Sequence, residues 1–178
     1  MTNETEFRTR EVLVPAERKI LTFDEATEKV FEFRQKGLTV VLAQGNFDIV
    51  HVGHLSYLRL AREKADLLFV GLESDEAVKL NKGEARPYNS LEDRMNMVAE
   101  FQSVDYVFPF DDINGYQEVS PFVSRLARLK PNMLAVSNYD PLINNKKQVA
   151  VEAGVEILIV NDPWVNSTTR LARLIGLE

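Results

Sequence analysis

The stretch "VVLAQGNFDIVHVGHLSYLRLA", residues 40–61, joins a continuous apolar run to a helical pattern, and both of the chain's histidines lie between the two. An unbroken apolar run of this kind forms a strand buried on both faces, the signature of a parallel sheet with helices on either side. Leu55, Leu58, Ala61 and Ala65 then recur at helical spacing. The segment therefore reads as strand, turn and helix. His51 and His54 stand in the turn where the helix begins, with Gly53 between them.

The same alternation extends in both directions. Upstream, "TFDE" carries Thr22 and Glu25 at capping-box spacing; Phe23, Ala26, Val30 and Phe33 follow on one helical face, and Gly37 stops it. Five apolar runs predict strands at 38–43, 67–72, 105–110, 132–137 and 155–160. Helices are expected at 75–80, after Ser90, between Ser120–Pro121 and Pro131, over 145–153 up to Gly154, and through "STTRLARLI" to Gly176. Strand alternating with helix over short connections predicts an α/β fold. We expect a single Rossmann-like domain with a doubly wound five-stranded parallel sheet and helices on both faces. Residues 1–19, polar and mixed in charge, read as an N-terminal arm, and 20–178 as the domain.

With 178 residues the chain is long enough for one substantial core. A net charge of −6 argues against general nucleic-acid binding. The absence of cysteine excludes disulfides, thiolate chemistry and cysteine-ligated zinc. No segment has the apolar length of a signal peptide core or a membrane span, so the expected setting is the cytoplasm.

Ligands of doubly wound sheets bind beyond the carboxyl ends of the strands. The turn after the first strand is such a place. The free amides and positive dipole end of a helix N-terminus favour an anion. Two imidazoles beside it can each donate to phosphate oxygens. A zinc pair is the competing reading, but the chain has no third histidine and no cysteine to complete it. A second concentration of cations, Lys79, Lys82, Arg86 and Arg94, lies in "KLNKGEARPYNSLEDR". "NSTTRL" (166–171) places hydroxyls at the start of the closing helix.

"GNFDIVHVGHLSYLRLA" resembles the G-x-F-D-x-x-H-x-G-H signature of the cytidylyltransferase-like nucleotidyltransferases. "GLESDEAVK", "NKGEARPYNSLEDRMNMVAEFQSVDYVFPFDD" and "NSTTRL" follow in that family's order, so the likeness covers roughly residues 19–175. The nearest likeness is to the adenylyltransferase domain of bacterial ADP-heptose synthases, and the next to glycerol-3-phosphate cytidylyltransferases. The resemblance implies transfer of a nucleotidyl group, AMP from ATP, to a sugar phosphate such as a heptose 1-phosphate, with release of pyrophosphate and magnesium carried by the nucleotide. His51, His54, Lys82 and Arg94 would be the catalytic set. Gly45, Asn46, Phe47, Asp48, Gly53, Asn166, Ser167 and Thr168 would bind the nucleotide, and Lys79, Asp140 and Trp164 would lie toward the acceptor. Asp48 has a competing reading as a residue that fixes its own loop, and Arg94 one as a surface partner of Glu92 or Asp93. A homodimer is implied as well. Two alternatives stand beside this reading: a CTP-dependent enzyme acting on glycerol or alditol phosphate, and a nucleotide-binding regulator without turnover. The second draws on "AVSNYD", where Ser137, Asn138 and Tyr139 replace the lysine and glycines of the heptose-type enzymes, and Asp162 stands near an arginine position of the cytidylyltransferases.

Overall fold

A computed structural model describes residues 14–110, 119–163, 168–174 and 176. Five parallel strands, β1 (Val40–Gly45), β2 (Leu67–Leu72), β3 (Tyr106–Pro109), β4 (Met133–Ser137) and β5 (Glu156–Val160), form one sheet in the order β3-β2-β1-β4-β5. The helices are α1 (Phe23–Gln35), α2 (Val52–Arg62), α3 (Asp75–Lys82), α4 (Leu91–Ala99), α5 (Val119–Leu129), α6 (Ile143–Ala153) and α7 (Thr168–Leu174). The chain reverses its direction of winding between β1 and β4, and in doubly wound sheets that switch point, beyond the strands' carboxyl ends, is where ligands bind.

The apolar runs fill both faces of the sheet. Val40 and Leu42 point into one cluster with Val30 of α1, Phe69, Phe108, Phe110 and Leu126 of α5. Val41 and Ala43 point into another with Leu58 of α2, Leu68, Val70 and Val98 of α4. Successive residues of one strand feeding opposite cores is what makes the run continuous rather than alternating. Gly71, in the middle of this packing, leaves no room for a side chain: a Cβ there would lie 2.7 Å from Cβ of Phe110.

Local signals set the helix ends. Thr22 and Glu25 form the reciprocal capping box, Oγ1 of Thr22 accepting from the Glu25 amide (3.2 Å) and Glu25 Oε2 from the Thr22 amide (2.7 Å). Ser74 and Ser90 cap α3 and α4 by accepting from Ala77 and Asp93 amides. Gly154 closes α6 in the left-handed region, φ 67°.

Several boundaries differ from the sequence expectation. β1 occupies 40–45 rather than 38–43, because buried Gln44 finds a partner in Glu73 (Nε2 to Oε1, 3.0 Å) and can stay in the sheet. α3 runs on to Lys82, and α5 starts at Val119, one residue before the expected cap Ser120. Part of the expected arm is packed. A short 3-10 helix (Ala16–Arg18) leads to Ile20, which bridges Val107 of edge strand β3, with the Val107 amide donating to Lys19 O and the Leu21 amide to Val107 O. This covers part of an edge that would otherwise present unpaired backbone groups.

Candidate active site

The turn after β1 is held in an unusual backbone conformation. Phe47 has φ 49°, a left-handed geometry that costs a non-glycine residue energy unless its surroundings impose it. The Phe47 ring is buried, 5.2 Å from the His54 ring, and it passes so close to Gly45 that a Cβ at that position would lie 3.2 Å from it. A glycine at 45 and an inward-packed phenyl at 47 thus set the course of the chain as it leaves the strand.

Asp48 is the keystone of the turn. Its carboxylate, 1% exposed, accepts from Arg86 Nη1 (2.9 Å) and from the backbone amides of Tyr88 (2.9 Å) and Asn89 (3.0 Å). Asn89 Nδ2 donates back to the Asp48 carbonyl (2.7 Å). The structure gives Asp48 the loop-fixing arrangement, binding the turn after β1 to the segment before α4.

Arg94 completes that junction from beneath. It is 0% exposed, and its guanidinium makes four hydrogen bonds: to the carbonyls of Asn89 (3.1 Å), Asn46 (2.6 Å) and Glu73 (2.8 Å), and to Asp75 Oδ1 (2.7 Å). The expected alternatives, Glu92 or Asp93 as surface partners, are replaced by Asp75, because the side chain turns inward. A planar fork with donors on several sides suits such a junction, and a lysine could not span it. The turns after β1 and β2 and the segment before α4 therefore meet on one buried cation.

His51 is the N-cap of α2 and His54 lies in its first turn. Their rings stack with centroids 3.9 Å apart and planes 21° apart. The His51 amide donates to Nδ1 of His54 (3.3 Å), so the proton of neutral His54 sits on Nε2, which is left as a donor. Burial, and secondarily the neighbouring His51, push the His54 pKa down to about 3. Burial also lowers His51, opposed by the charge of Asp162 beyond β5. Nδ1 of His51 is buried without a hydrogen-bond partner among the described residues. The pair is thus a neutral donor beside a second imidazole with an unsatisfied polar atom, both at the N-terminus of α2. Gly53, between them, is buried.

The remaining expected residues are placed less closely. Lys79 and Lys82 are exposed on α3, Lys82 as its last residue rather than in a loop. Asp140 follows β4, and its carboxylate accepts from the Leu142 amide (2.8 Å) and from Lys146 Nζ (2.9 Å). Trp164, Asn166 and Ser167 lie outside the described residues; Thr168 begins α7. Three participants escaped the sequence reading: the Gln44–Glu73 pair, Tyr57, whose buried hydroxyl donates to Ala135 O (2.8 Å), and Lys146. Only Gln44, a polar residue closing an apolar run, left a visible signal.

Residues 42–170 match the model of the cytidylyltransferase-like family. The chain belongs to that family, and with it to the nucleotidyltransferase enzymes. It is 38% identical over 155 residues to the bifunctional protein HldE of Campylobacter fetus subsp. fetus, covering 87% of this chain and 31% of that protein. To HldE of Sulfurimonas denitrificans it is 35% identical over 149 residues, 83% of this chain and 29% of the relative. The chain thus spans less than a third of these curated relatives. Two solved structures share the fold. The lipopolysaccharide core biosynthesis protein of Thermoplasma volcanium GSS1 superposes with a TM-score of 0.57 at 22% identity, over 73% of this chain and 100% of that one. The pantoate-beta-alanine ligase of Francisella tularensis gives 0.59 at 16% identity, over 81% and 68% respectively. Among the described residues, no helix of this family member is long and apolar enough to cross a membrane.

Proposed function

We propose that this chain transfers a nucleotidyl group, AMP from ATP, to the phosphate of a phosphorylated sugar of the heptose 1-phosphate type. The carrying observation is the stacked His51–His54 pair at the N-terminus of α2, which follows β1 at the switch point of the sheet. Family membership and the likeness to HldE proteins support the same reading.

In the proposed reaction an acceptor phosphate oxygen forms a bond to the α-phosphorus. The bond from that phosphorus to the β-bridging oxygen breaks, and pyrophosphate departs with the electron pair. Such a transfer needs alignment and charge neutralisation more than an acid or base. His54 suits it as a preorganised donor, since its Nε2 proton is present over the whole physiological range and costs no reorganisation. His51 offers a second donor on the same anion. Lys82, at the exposed end of α3, adds positive charge, and Asn166, Ser167 and Thr168 are assigned to the triphosphate on the resemblance. Arg94 has its N–H groups turned to protein oxygens, and we assign it to positioning: it fixes the carbonyls of Asn46 and Glu73 on which the nucleotide turn rests.

Among the described residues no cluster of three histidine or carboxylate side chains stands together as a cation site. The nearby carboxylates are also engaged, Asp48 by Arg86 and Asp140 by Lys146. On the resemblance, magnesium is assigned to the triphosphate as part of the substrate.

The test is pyrophosphate release with magnesium, crossing ATP and CTP with heptose 1-phosphate, other sugar 1-phosphates and glycerol 3-phosphate. Release with ATP and a sugar 1-phosphate is the expected result. Release only with CTP and glycerol phosphate reassigns both substrates. Tight nucleotide binding with no release for any pair refutes the transferase reading in favour of a regulator.

A further inference from the structure

The turn after β4 contains an ionic pair for which the nucleotide chemistry above has no use. Lys146 of α6 reaches back to Asp140 with Nζ 2.9 Å from Oδ2; the side chains are 7% and 18% exposed. A lysine side chain withdrawn from water to this degree forfeits hydration and rotamer freedom. Asp140 has no need of it to shape the turn. Its other oxygen already accepts from the Leu142 amide, and its own amide donates to Ser137 O (3.0 Å).

The position of the pair gives it a use. On one side, Tyr57 of the histidine helix is anchored to Ala135 of β4, and the charge of Asp140 helps push the Tyr57 hydroxyl pKa upward, after burial. On the other side, the Asn138 amide donates to Val160 O (3.0 Å) and Asn138 Oδ1 accepts from the Asp162 amide (3.1 Å). Asp162 in turn acts electrostatically on His51. The 137–140 turn therefore lies between the histidine helix and the loop after β5, at the carboxyl end of β4.

Resting on the function proposed above, we propose that Lys146 is a positioning residue for the acceptor: it holds Asp140 just beyond the carboxyl end of β4, where the carboxylate receives hydroxyl groups of a polyhydroxylated phosphate acceptor. An ionised carboxylate is acceptor-only and has lone pairs left after two hydrogen bonds, which suits hydroxyl donors. The ammonium prevents it from swinging toward solvent. The pair acts on the acceptor and not on the triphosphate, which is held from the β1 turn.

The experiment is steady-state pyrophosphate release by the whole chain, with magnesium–ATP and magnesium–CTP, and with heptose 1-phosphate and glycerol 3-phosphate as acceptors. Lys146→Met is expected to raise the acceptor KM about tenfold or more relative to the triphosphate KM, the scale of one charge-assisted contact. Lys146→Arg is expected to recover most of that loss. Asp140→Asn, which keeps the shape of the side chain, carries the same expectation should Lys146→Met fail to fold, as judged by thermal melting. An unchanged acceptor KM, or equal rises in both KM values, overturns the role of Lys146 and leaves the transferase reading standing. Absence of release by the unsubstituted chain with every pair removes that reading, and this inference with it.

Discussion

Replacing His54 by asparagine should flatten the acid limb of the protein's stability curve. In the folded state the His54 imidazole is held neutral by burial, its pKa pushed from an ordinary 6.5 to about 3. Between those values the unfolded chain binds a proton at this position and the folded chain does not. Stability from this group is therefore fully present above about pH 6.5 and is lost as the pH falls toward 3. Between pH 7 and pH 5 the loss works out at about 2 kcal/mol, since one decade of proton concentration is worth about 1.4 kcal/mol once the unfolded group is titrating. The burial that lowers His51 acts in the same direction, and carboxylates add their own slopes. Both persist in His54→Asn, so the difference between the two proteins isolates the residue. Urea unfolding of each at pH 7, 6 and 5 measures it. The unsubstituted protein should lose about 2 kcal/mol more than the variant over that interval. Equal losses, within about 0.5 kcal/mol, would mean that the ring takes up a proton in the folded state and that the neutral-donor assignment is wrong.

The same variant should lower turnover by about 10²–10³, the scale of removing one preorganised donor, and near-normal turnover would take His54 out of the mechanism. Arg94→Met should cost about 3–5 kcal/mol in urea unfolding, because it leaves three loop carbonyls and Asp75 without their shared cation; a loss below about 1 kcal/mol would show that the junction does not depend on it. Gly71→Ala, which drives a methyl to 2.7 Å from Phe110 Cβ, should cost about 1–3 kcal/mol by the same measurement, and a neutral result would mean that β3 shifts freely.

The sheet was legible because its strands are buried on both sides, so each announced itself as an apolar run with turn residues around it. The helices were legible from caps such as Thr22 and Ser90 and stops such as Gly154. Where boundaries moved, a tertiary partner outweighed the local signal: Glu73 let Gln44 remain in β1, and the β3 edge gave residues 19–21 backbone partners that their polar surroundings do not suggest. In the site, the histidines stood out because their spacing and the helix start are both local in sequence. Arg94 and Asp48 were visible as residue types but not as roles. Whether an arginine faces a phosphate or three carbonyls from distant loops depends on contacts 5, 21 and 48 residues away in the chain. Lys146 gave no signal at all, since it lies six residues past Asp140 on a helix with a weakly apolar face.

The distribution of buried charge bears on how the site is made. Asp48–Arg86, Arg94–Asp75 and Lys146–Asp140, each with a buried cation, all lie at the carboxyl ends of β1, β2 and β4, and the middle of the sheet is hydrocarbon on both faces. At the opposite end, Arg62–Asp105 is about a third exposed, and Glu32–Lys36 on α1 is an ordinary solvated pair. Replacing a buried ion pair by well-packed apolar side chains is often neutral or stabilising, so three buried cations paired on one edge are not explained by stability alone. What they provide is definition. Each links segments that the sheet itself does not hold in register: the turn after β1 to the segment before α4, the turn after β2 to both, and the turn after β4 to α6. Hydrophobic contacts tolerate small slides, whereas a carboxylate shared by two or three donors has one geometry. A phosphoryl-transfer site built on positioning rather than acid–base chemistry requires that kind of wall, and loosening any one pair should therefore impair alignment before it unfolds the chain.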